Sequence, residues 1–360
     1  MRIAVLGTRG VPNYYGGFEQ FAQYFSEDFV KKGHEVFVYN SNNHLYQESE
    51  WNGVKIIHCK DPEHIIGTSG QFIYDLNCIL DARKRNFDII LQLGYTSSSV
   101  WNWLFPKKSI IITNMDGLEW KRSKYSKPVQ KFLLFAERLA VKCSHYLIAD
   151  SIGIQSYLEE KYSVESKYIP YGANLVASTE DDILEDLKLE KGSYNMLVAR
   201  MEPENSIEPI LEGFVNSETN RKFLVVGNTE NKYGTYIKNN FTDDRIIYLG
   251  YISSIEKLNS LRRNSHLYFH GHTVGGTNPS LLEAMSSYAL IFAHNNEFNK
   301  AILEGDAFYF NCKRCVTSLL NKESIENRDT FINNNIEKIK KNYSWKKILD
   351  EYEKFILSKL

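Results

Sequence analysis

The stretch Phe269-His-Gly-His-Thr-Val-Gly-Gly-Thr-Asn-Pro-Ser-Leu-Leu-Glu-Ala-Met285 runs from the end of an apolar strand through a glycine loop into a helix. Asn278 is of a residue type that caps helix N-termini, and Pro279 is favoured at the first helical position. The Gly275-Gly276-Thr277 loop allows backbone N–H groups to approach an anion at the positive end of that helix. Glu283, more than one turn further on, could accept hydrogen bonds from ribose hydroxyls beside a bound diphosphate. The alternative is a tight strand–helix turn followed by an exposed glutamate.

Short apolar runs alternate with helical patterns along the rest of the chain, which is typical of parallel sheets covered by helices. The segment from Phe18 to Val30 has the apolar spacing of one helix face, and Gly33 ends that helix. The predicted strands form two series: Ile3–Leu6, Glu35–Tyr39, Val54–His58, Asp88–Leu93, Ser109–Asn114, Tyr146–Ala149 and Lys167–Pro170, and then Asn195–Ala199, Lys222–Val226, Arg245–Leu249, His266–His270, Leu290–Ala293 and Phe308–Phe310.

Two series of this kind predict an α/β protein with two tandem Rossmann-like, doubly wound domains. We expect an N-terminal domain over residues 1–172 and a C-terminal domain over residues 173–345, joined by the acidic, turn-prone stretch Ala173–Ser193. Residues 346–360 are expected to form a helix that returns to the N-terminal domain. Because ligands bind at the carboxyl ends of parallel strands, the expected site is a cleft between the two domains.

Length, composition and charge are those of an ordinary globular protein. The chain has 360 residues, of which 43% are hydrophobic and 24% charged, and this suits two domains. The net charge of −1 provides no global field to hold nucleic acid. The first residues lack signal-peptide anatomy, and no window approaches the ~18 apolar residues of a membrane span, so we expect a cytoplasmic protein. Cys312 and Cys315 form a lone C-x-x-C, which favours packing or chance over zinc binding.

Basic residues outnumber acidic ones from Lys107 to Lys142. This stretch is either a solvated face or a surface for anionic lipid headgroups or for the pyrophosphate of a lipid-linked acceptor, which suggests peripheral contact with the inner membrane surface. An interfacial patch is one interpretation of Trp101, Trp103, Leu104 and Phe105 followed by Lys107 and Lys108. Burial of those apolar residues in the first domain is an equally open alternative.

Three further strand ends carry residues suited to phosphate or hydroxyl groups. Arg200, in Val198-Ala-Arg-Met-Glu-Pro-Glu-Asn205, can pair bidentately with phosphate or form an interdomain salt bridge. Gly16-Gly17 opens the Phe18 helix and either faces phosphate or sugar or forms a hairpin-like turn. In Thr113-Asn-Met-Asp116-Gly-Leu-Glu119-Trp-Lys-Arg122, a carboxylate could act as a base or orient an acceptor hydroxyl, unless the segment is a plain surface turn.

Several catalytic motifs are missing from the sequence. The chain contains no D-x-D, no G-x-S-x-G, no G-x-x-x-x-G-K-[ST] and no dinucleotide-binding G-x-G-x-x-G after its first strand. His270 and His272 flank a glycine and match no zinc motif. We therefore expect no metal and no cofactor. Arg200, lysines and helix dipoles would neutralise phosphate charge instead.

At these residues the chain resembles the retaining, family-four-type glycosyltransferases with the GT-B fold, and more narrowly the rhamnosyltransferase branch of bacterial surface polysaccharide assembly. The resemblance spans nearly the whole chain and is carried by Gly7-Thr-Arg-Gly-Val-Pro12, Tyr15-Gly-Gly-Phe-Glu19, Asp116-Gly-Leu-Glu-Trp-Lys-Arg122, Ala199-Arg-Met-Glu-Pro-Glu-Asn205 and Gly271-His-Thr-Val-Gly-Gly-Thr-Asn-Pro-Ser-Leu-Leu-Glu283.

The resemblance implies a role for each matching residue. Glu283 matches the second glutamate of an E-x7-E motif, which contacts the donor ribose, and Arg200 matches the arginine at the donor diphosphate. Gly16 and Gly17 match the glycine loop near donor phosphate and acceptor, and Asp116 matches the acid of a His-Asp pair near the transferred sugar. The candidate catalytic residues are thus Asp116, Arg200 and Glu283. The candidate donor-binding residues are Arg200, Asn205, Gly275, Gly276, Thr277, Asn278, Ser280 and Glu283. The acceptor and phosphate loop comprises Gly16, Gly17, Glu119, Lys121 and His272.

Three positions depart from the family pattern. The first glutamate of E-x7-E falls on Gly275, the diphosphate lysine on Asn205 and the histidine of the His-Asp pair on Met115. His272 or Lys121 is our candidate for the compensating group.

The resemblance implies transfer of a sugar with retention, preferably L-rhamnose from dTDP-L-rhamnose, onto a saccharide or lipid-linked saccharide acceptor. The alternatives are a catalytically idle GT-B protein that binds saccharide or acts as a scaffold, and a nucleotide-sugar oxidoreductase or epimerase.

Overall fold

Two parallel sheets organise the chain, and the computed structural model describes residues 1–122, 124–179 and 182–360. The first compact unit comprises Met1–Lys121, Tyr125–Tyr171 and Trp345–Leu360. The second comprises Arg122–Lys124 and Gly172–Ser344. Glu180 and Asp181, in the predicted connection between the domains, lie outside the described residues.

The sheet of the first unit is built from β1 (Arg2–Leu6), β2 (Glu35–Ser41), β3 (Glu50–Trp51), β4 (Val54–Cys59), β5 (Ile89–Leu93), β6 (Ile110–Asn114), β7 (Tyr146–Ala149) and β8 (Lys167–Tyr168). The described strands lie in the order β3-β4-β2-β1-β5-β6-β7-β8. β3 pairs antiparallel with β4, and the other pairs run parallel. The strand order therefore reverses direction between β1 and β5, which is the topological switch point of this sheet.

Among the described residues, the helices of this unit that precede its C-terminal helix are α1 (Gly17–Lys31), α2 (Glu63–Ile66), α3 (Gly70–Ala82), α4 (Lys127–Cys143) and α5 (Ile152–Tyr162). Helix α1 buries Phe21, Phe25 and Phe29 at helical spacing, as its apolar pattern predicts. It ends before Gly33, whose φ of 85° is a conformation that glycine adopts without strain. Short 3-10 segments at Gly67–Ser69, Ser99–Leu104 and Glu119–Lys121 connect these elements.

The sheet of the second unit is built from β9 (Tyr194–Val198), β10 (Lys222–Val226), β11 (Ile246–Gly250), β12 (Tyr268–His270), β13 (Ile291–His294) and β14 (Phe308–Phe310). All described pairs run parallel, in the order β11-β10-β9-β12-β13-β14. The switch point of this sheet lies between β9 and β12. The two glycine- and arginine-bearing loops predicted from sequence, 199–205 and 271–278, follow these two strands.

The helices of the second unit are α6 (Asp182–Asp186), α7 (Ile207–Val215), α8 (Lys232–Asn240), α9 (Ile255–Asn264), α10 (Pro279–Ser286), α11 (Glu297–Leu303), α12 (Lys313–Leu320) and α13 (Arg328–Lys338), with a 3-10 turn at Pro203–Asn205 and a π-helical turn at Ile339–Tyr343. On one face of the sheet, aromatic rings from β10, β12 and β13 contact each other, and those of β10 and β12 meet across the intervening β9. The centroid of Phe269 lies 5.2 Å from that of Phe223 and 5.2 Å from that of Phe292. These buried rings hold β10, β12 and β13 together beneath the site.

The chain ends in α14 (Trp345–Leu357), which belongs to the first unit. Its buried Tyr352 ring lies 4.8 Å from the ring of Phe21, and its Trp345 ring stacks 4.4 Å from that of Tyr24. The Tyr352 hydroxyl also accepts a hydrogen bond from the side-chain amide of Asn114 at 3.1 Å. Helix α14 is therefore an integral part of the hydrophobic core around α1.

Candidate functional site

Two loops pack directly on each other at the switch point of the second sheet. The backbone N–H of Thr273 donates to the carbonyl oxygen of Glu204 at 3.0 Å, and the Thr273 hydroxyl donates to the same oxygen at 2.9 Å. A Cβ atom at Gly271 would lie 2.0 Å from the carbonyl oxygen of Asn205, so only glycine allows this approach. The turn after β9 and the loop after β12 therefore form one continuous surface at the carboxyl edge of the sheet.

The entry into α10 has the geometry of an anion-binding helix start. The Asn278 side chain caps the helix by accepting from the backbone N–H of Ser280 at 2.9 Å, and Pro279 occupies the first turn. Gly275 has a φ of 141°, a conformation that side chains rarely adopt. A glutamate is therefore disfavoured at this position by the backbone itself. Gly276 is partly exposed beside it, whereas Thr277 is buried.

Glu283 is held by an ion pair that the sequence did not predict. Nη2 of Arg262, on α9, donates to Oε2 of Glu283 at 2.7 Å. The guanidinium of Arg262 also lies 3.5 Å from the hydroxyl oxygen of Ser280 and 6.0 Å from the ring centroid of Tyr268. The Ser280 hydroxyl also lies 2.8 Å from the hydroxyl of Tyr268, so Ser280 connects α10 to β12. The arrangement fixes the direction of the Glu283 carboxylate.

His270 and His272 stack on each other at the end of β12, with ring centroids 4.4 Å apart and planes 14° from parallel. Burial, together with the neighbouring Arg200 and Arg122 charges, lowers the pKa of His272 to about 3. Burial also holds the pKa of His270 well below its ordinary value, assisted by His272 and Arg262. Both rings are therefore neutral at physiological pH, each with one N–H donor and one acceptor nitrogen.

Buried ring nitrogens in this pair face no protein partner. Among the described residues, neither nitrogen of His270 nor Nδ1 of His272 has a hydrogen-bond partner. A buried polar atom without a partner costs about 1–3 kcal/mol, so these ring nitrogens reduce the stability of the fold at this place. The backbone of His272 is held by two hydrogen bonds. The side-chain amides of Asn296 and Asn299 donate to the carbonyl oxygen of His272 at 2.8 and 3.1 Å.

The turn after β9 places Arg200 at the surface and Asn205 inside. The Asn205 side-chain amide donates to the carbonyl oxygen of Arg200 at 2.7 Å, so in this structure its amide nitrogen holds the turn. Asn205, predicted among the donor-binding residues, thus supports the backbone that carries Arg200. The exposed guanidinium of Arg200 lies close enough to His272 to lower its pKa.

Arg122 is a second cation at this edge, and it is not among the site residues predicted from the sequence. It belongs to the second unit, and its Nη1 lies 3.5 Å from Oε1 of the buried Glu204. Lys124 lies 3.8 Å from Glu202 in the same turn. The sequence contains a hint of this role, because Arg122 ends the acidic and basic segment that begins at Asp116. Its assignment to the second unit is a tertiary feature that no local pattern indicates.

In the first unit, the predicted glycine pair lies at the start of α1. Gly16 is the extended N-cap residue and Gly17 the first helical residue. The preceding loop is fixed by Glu19, whose Oε1 accepts from the Arg9 backbone N–H at 2.9 Å and lies 3.3 Å from the Thr8 hydroxyl. Glu19 therefore belongs to the scaffold of this loop.

Asp116, Glu119 and Lys121 follow β6 in the first unit. Asp116 has a φ of 47°, and its backbone N–H donates to the side chain of Asn114 at 3.0 Å. Asp116 and Glu119 are partly buried, whereas Lys121 is exposed. The loop is anchored through Trp120, whose indole N–H donates to Oε2 of the buried Glu137 at 3.1 Å.

For Trp101, Leu104 and Phe105, the structure favours burial in the first unit, which was one of the two alternatives for residues 101–108. Trp101, Leu104 and Phe105 pack against the hydrophobic core of the first unit, and the indole N–H of Trp101 donates to the carbonyl oxygen of Phe72 at 2.8 Å. The 3-10 conformation of Ser99–Leu104 turns successive side chains in different directions, so one face of the segment is buried. Trp103, Lys107 and Lys108 remain exposed.

Within the part of the chain that the structure describes, no group of three or more His, Cys, Asp and Glu side chains is arranged to hold a metal ion. The described helices are too short or too polar for any of them to cross a bilayer.

The chain is similar to a family of unknown function and to a protein named as a glycosyltransferase. Residues 1–174 match the family described as "Domain of unknown function (DUF1972)". An uncharacterized glycosyltransferase of Methanocaldococcus jannaschii is 24% identical over an alignment of 383 residues, which covers 95% of this chain and 96% of that protein.

Solved structures of similar architecture cover the full chain. Sucrose-phosphate synthase of Thermosynechococcus elongatus superposes with a TM-score of 0.82 at 15% identity, covering 99% of this chain and 98% of that one. HepE of Anabaena in complex with UDP and glucose superposes with a TM-score of 0.78 at 15% identity, covering 99% of each chain. The protein therefore has the two-domain α/β fold of the GT-B glycosyltransferases.

Proposed function

We propose that the protein is a retaining glycosyltransferase that transfers L-rhamnose from dTDP-L-rhamnose to a saccharide or lipid-linked saccharide acceptor in bacterial surface polysaccharide synthesis. The observation that carries the proposal is the packing of the 199–205 turn against the 271–278 loop at the switch point of the second sheet. The GT-B fold and the similarity to the Methanocaldococcus jannaschii glycosyltransferase support sugar transfer as the reaction class.

The donor diphosphate binds at this edge without a metal ion. Arg200 supplies an exposed guanidinium, and the N-terminus of α10 supplies backbone N–H groups and the positive end of a helix dipole. Arg122 adds a second guanidinium, in place of the lysine that the family pattern places at Asn205. The neutral His272 imidazole donates a hydrogen bond to a phosphate or sugar oxygen. Charge-assisted hydrogen bonds of this kind are worth about 1.5–3 kcal/mol each.

The nucleoside part of the donor contacts Glu283. Its carboxylate is oriented by Arg262, so it can accept a hydrogen bond from the nucleotide's sugar in a fixed direction, and in dTDP the only such donor is the 3′-hydroxyl. HepE, a protein of the same fold, has been solved with UDP-glucose, which supports a nucleotide sugar as the donor class. The preference for dTDP-L-rhamnose comes from the resemblance of the loop motifs to the rhamnosyltransferase branch.

The loops of the first unit serve the acceptor. Asp116 orients the transferred sugar, while Glu119, Lys121 and the Gly16-Gly17 start of α1 contact acceptor hydroxyl or phosphate groups. The acceptor is a saccharide or a lipid-linked saccharide, and a lipid-linked acceptor is reached by peripheral contact of the protein with the cytoplasmic face of the membrane.

The reaction breaks the bond between the anomeric carbon and the diphosphate oxygen and forms a bond from that carbon to the acceptor oxygen on the same face. The acceptor proton passes to the leaving diphosphate. Arg200 and the α10 N-terminus stabilise the negative charge that develops on the diphosphate as the bond breaks, and this lowers the barrier.

Nucleotide release provides the test. The purified protein is incubated with dTDP-L-rhamnose, UDP-glucose and other nucleotide sugars, with and without saccharide acceptors, and free nucleoside diphosphate is measured. We expect acceptor-dependent release that is greatest with dTDP-L-rhamnose. Arg200→Ala should lower kcat/KM by about tenfold or more, since one charge-assisted contact to the developing charge is lost.

Arg83→Ala removes an exposed guanidinium directly after the C-terminal end of α3. This variant serves as the matched control and should leave kcat/KM unchanged. Binding of nucleotide sugar without any acceptor-dependent release would favour a binding or scaffold protein. An absorbance change of a bound nicotinamide cofactor would favour an oxidoreductase or epimerase instead.

A further inference from the structure

Helix α4 carries an apolar stripe on its exposed side. Its inner face buries Leu133, Ala136 and Ala140 against the first unit. On its outer face, Val129, Phe132 and Phe135 are 39%, 37% and 54% exposed. Two of these are phenylalanines one turn apart, which is an unusual amount of aromatic surface to leave in water.

All exposed charged residues of α4 are basic. Lys127, Lys131, Arg138 and Lys142 are exposed, and they flank the apolar stripe. The only acidic residue of α4 is Glu137, which is 1% exposed and points inward to hydrogen-bond donors of the first unit. The outer face of α4 therefore combines apolar rings with cations and presents no carboxylate.

The surface continues beyond α4. The 3-10 segment Ser99–Leu104 packs against α4 and exposes 63% of Trp103, and Lys107 and Lys108 follow it at the surface. On α3, the ring of Phe72 lies 5.6 Å from that of Phe132, next to the exposed Ile73. We define the α4 face as Trp103, Val129, Lys131, Phe132, Phe135 and Arg138.

We propose that the α4 face binds the surface of an anionic lipid bilayer, with Trp103, Phe132 and Phe135 among the acyl chains and Lys131 and Arg138 at the headgroups. An amphipathic helix lying in the interface combines these two kinds of residue, since apolar burial and attraction to anionic lipid add together. The inference deepens the proposed peripheral membrane contact and needs no assumption about which sugar is transferred.

The charge pattern favours a bilayer over a second copy of the chain. Two α4 faces brought together would place exposed cations opposite each other with no exposed carboxylate on either helix to pair with them. A negatively charged planar surface complements every cation on this face at once. The proposal thus assigns a bilayer to the basic stretch predicted from sequence at 107–142. Of the apolar residues at 101–105 it keeps Trp103, and it adds Phe132 and Phe135 of α4.

Vesicle co-sedimentation of the full chain tests the proposal. Wild-type protein is expected to sediment with vesicles of phosphatidylcholine containing phosphatidylglycerol, and much less with phosphatidylcholine alone or at high salt. The double variants Phe132→Ser/Phe135→Ser and Lys131→Glu/Arg138→Glu should each reduce the bound fraction at least tenfold. Emission of Trp103 should shift to shorter wavelength on binding, and a Trp103→Phe variant should lose this signal.

Matched substitutions on other surfaces control for the reversal of positive charge and for the loss of an exposed aromatic ring. Lys232→Glu/Lys238→Glu, at two exposed cations of α8, and Tyr251→Ser, at an exposed ring, should keep vesicle binding within twofold of the wild type. Thermal unfolding and nucleotide release with a soluble acceptor are measured on every variant. Loss of vesicle binding with unchanged release supports the proposal, and absence of release in the wild type would affect only the proposed function.

Three results would overturn the inference. One is equal binding by wild type and both α4 variants. Another is binding to neutral vesicles that is as strong as binding to anionic ones. The third is a wild type that ignores vesicles while the Phe132→Ser/Phe135→Ser change converts a dimer into a monomer, or abolishes binding to an acidic polypeptide, because the face would then serve a protein partner.

Discussion

Nη2 of Arg262 donates a hydrogen bond of 2.7 Å to Oε2 of Glu283, and this contact joins α9 to α10 through a guanidinium that is 1% exposed. A cation buried to this degree is stable only with a charged partner close to it. Glu283, which is expected to contact a nucleotide, therefore also stabilises the fold. Substitution at Glu283 consequently changes both binding and stability, and the two effects have to be separated.

We predict that Glu283→Ala lowers the free energy of unfolding by about 3 kcal/mol, because it leaves the Arg262 charge without its partner. Glu283→Gln should cost less, since the amide oxygen still accepts a hydrogen bond. Denaturant unfolding measures both, with Glu218→Ala, at an exposed site, as the control. The double variant Arg262→Met/Glu283→Leu should recover part of the loss. An unchanged midpoint for Glu283→Ala would mean that the pair contributes nothing to stability.

Glu283 and Arg262 differ in whether a local sequence pattern indicates them. Glu283 is predicted as a site residue because a capped, glycine-fronted helix start is a local pattern. Arg262 was missed because an arginine in the last turn of a helix ordinarily faces water, where it complements the helix dipole. The signal that could have revealed it is spacing. Arg262 follows the buried Leu258 by four residues, which places it on the inner face of α9.

The strands were predicted closely, since most are runs of β-branched and aromatic residues between turn residues. The predicted runs Tyr146–Ala149, Lys222–Val226 and Phe308–Phe310 coincide with β7, β10 and β14. Strand β3 has two residues, Glu50 and Trp51, which is too short for any periodic pattern. Tertiary placement was harder to predict. Neither the inward direction of Trp101 nor the position of Arg122 in the second unit follows from local sequence.

We predict that the conformation of the loop that carries Asp116 is stabilised by Glu137 through its hydrogen bond with Trp120. Its carboxylate accepts from the hydroxyls of Tyr157 and Tyr162 at 2.6 and 2.7 Å, from Lys161 at 3.1 Å and from the Trp120 indole at 3.1 Å. Glu137→Ala would leave these donors without an acceptor at a buried site, and we expect a loss of about 3–5 kcal/mol.

Glu137→Gln, which keeps one acceptor oxygen, should cost less than the alanine variant. Lys161→Met in the Glu137→Gln background should cost less than in the wild type, because the charge it pairs with is already gone. Thermal and denaturant unfolding of the four proteins measure this coupling, and additive effects of the two substitutions would contradict it.

Gly271→Ala should separate the two loops of the second unit. The new methyl group would meet the carbonyl oxygen of Asn205 at 2.0 Å, so the backbone must move. We expect a loss of about 1–3 kcal/mol in stability together with weaker nucleotide binding. Gly305→Ala is the matched control, because nothing lies within 4 Å of its added Cβ atom. Calorimetric titration with dTDP and UDP measures the second effect, and full binding by a destabilised Gly271→Ala protein would disconnect the loop contact from the ligand.

Cys312 is predicted to be the most reactive thiol among Cys59, Cys78, Cys143 and Cys312. Hydrogen bonds from the Cys315 backbone N–H and thiol, and the charge of Arg314, lower the pKa of Cys312, whose Sγ lies 3.5 Å from that of Cys315. Burial raises the pKa of the Cys143 thiol. Since the thiolate is the nucleophile, iodoacetamide should modify Cys312 about tenfold faster than Cys143 near neutral pH, as read by mass spectrometry. Cys315→Ser should slow the reaction at Cys312, and equal rates at Cys312 and Cys143 would refute the assignment.

Asp75 should make the protein less stable as pH rises toward neutrality. Burial raises the pKa of its carboxyl from 3.8 to about 7, although the Ser97 hydroxyl donates to it at 2.6 Å. Between these two values the native state keeps a proton that the unfolded chain has released, so the free energy of unfolding falls with increasing pH and levels off above about pH 7. The full change is roughly 4 kcal/mol at most, and Asp75→Asn should abolish it. The difference in unfolding free energy between Asp75→Asn and wild type, measured across this range, should therefore grow in favour of the variant as pH increases. Asp244→Asn, at an exposed position, controls for the loss of one carboxylate, and a difference for Asp75→Asn that does not vary with pH would show that this carboxyl is ionised in the native state throughout.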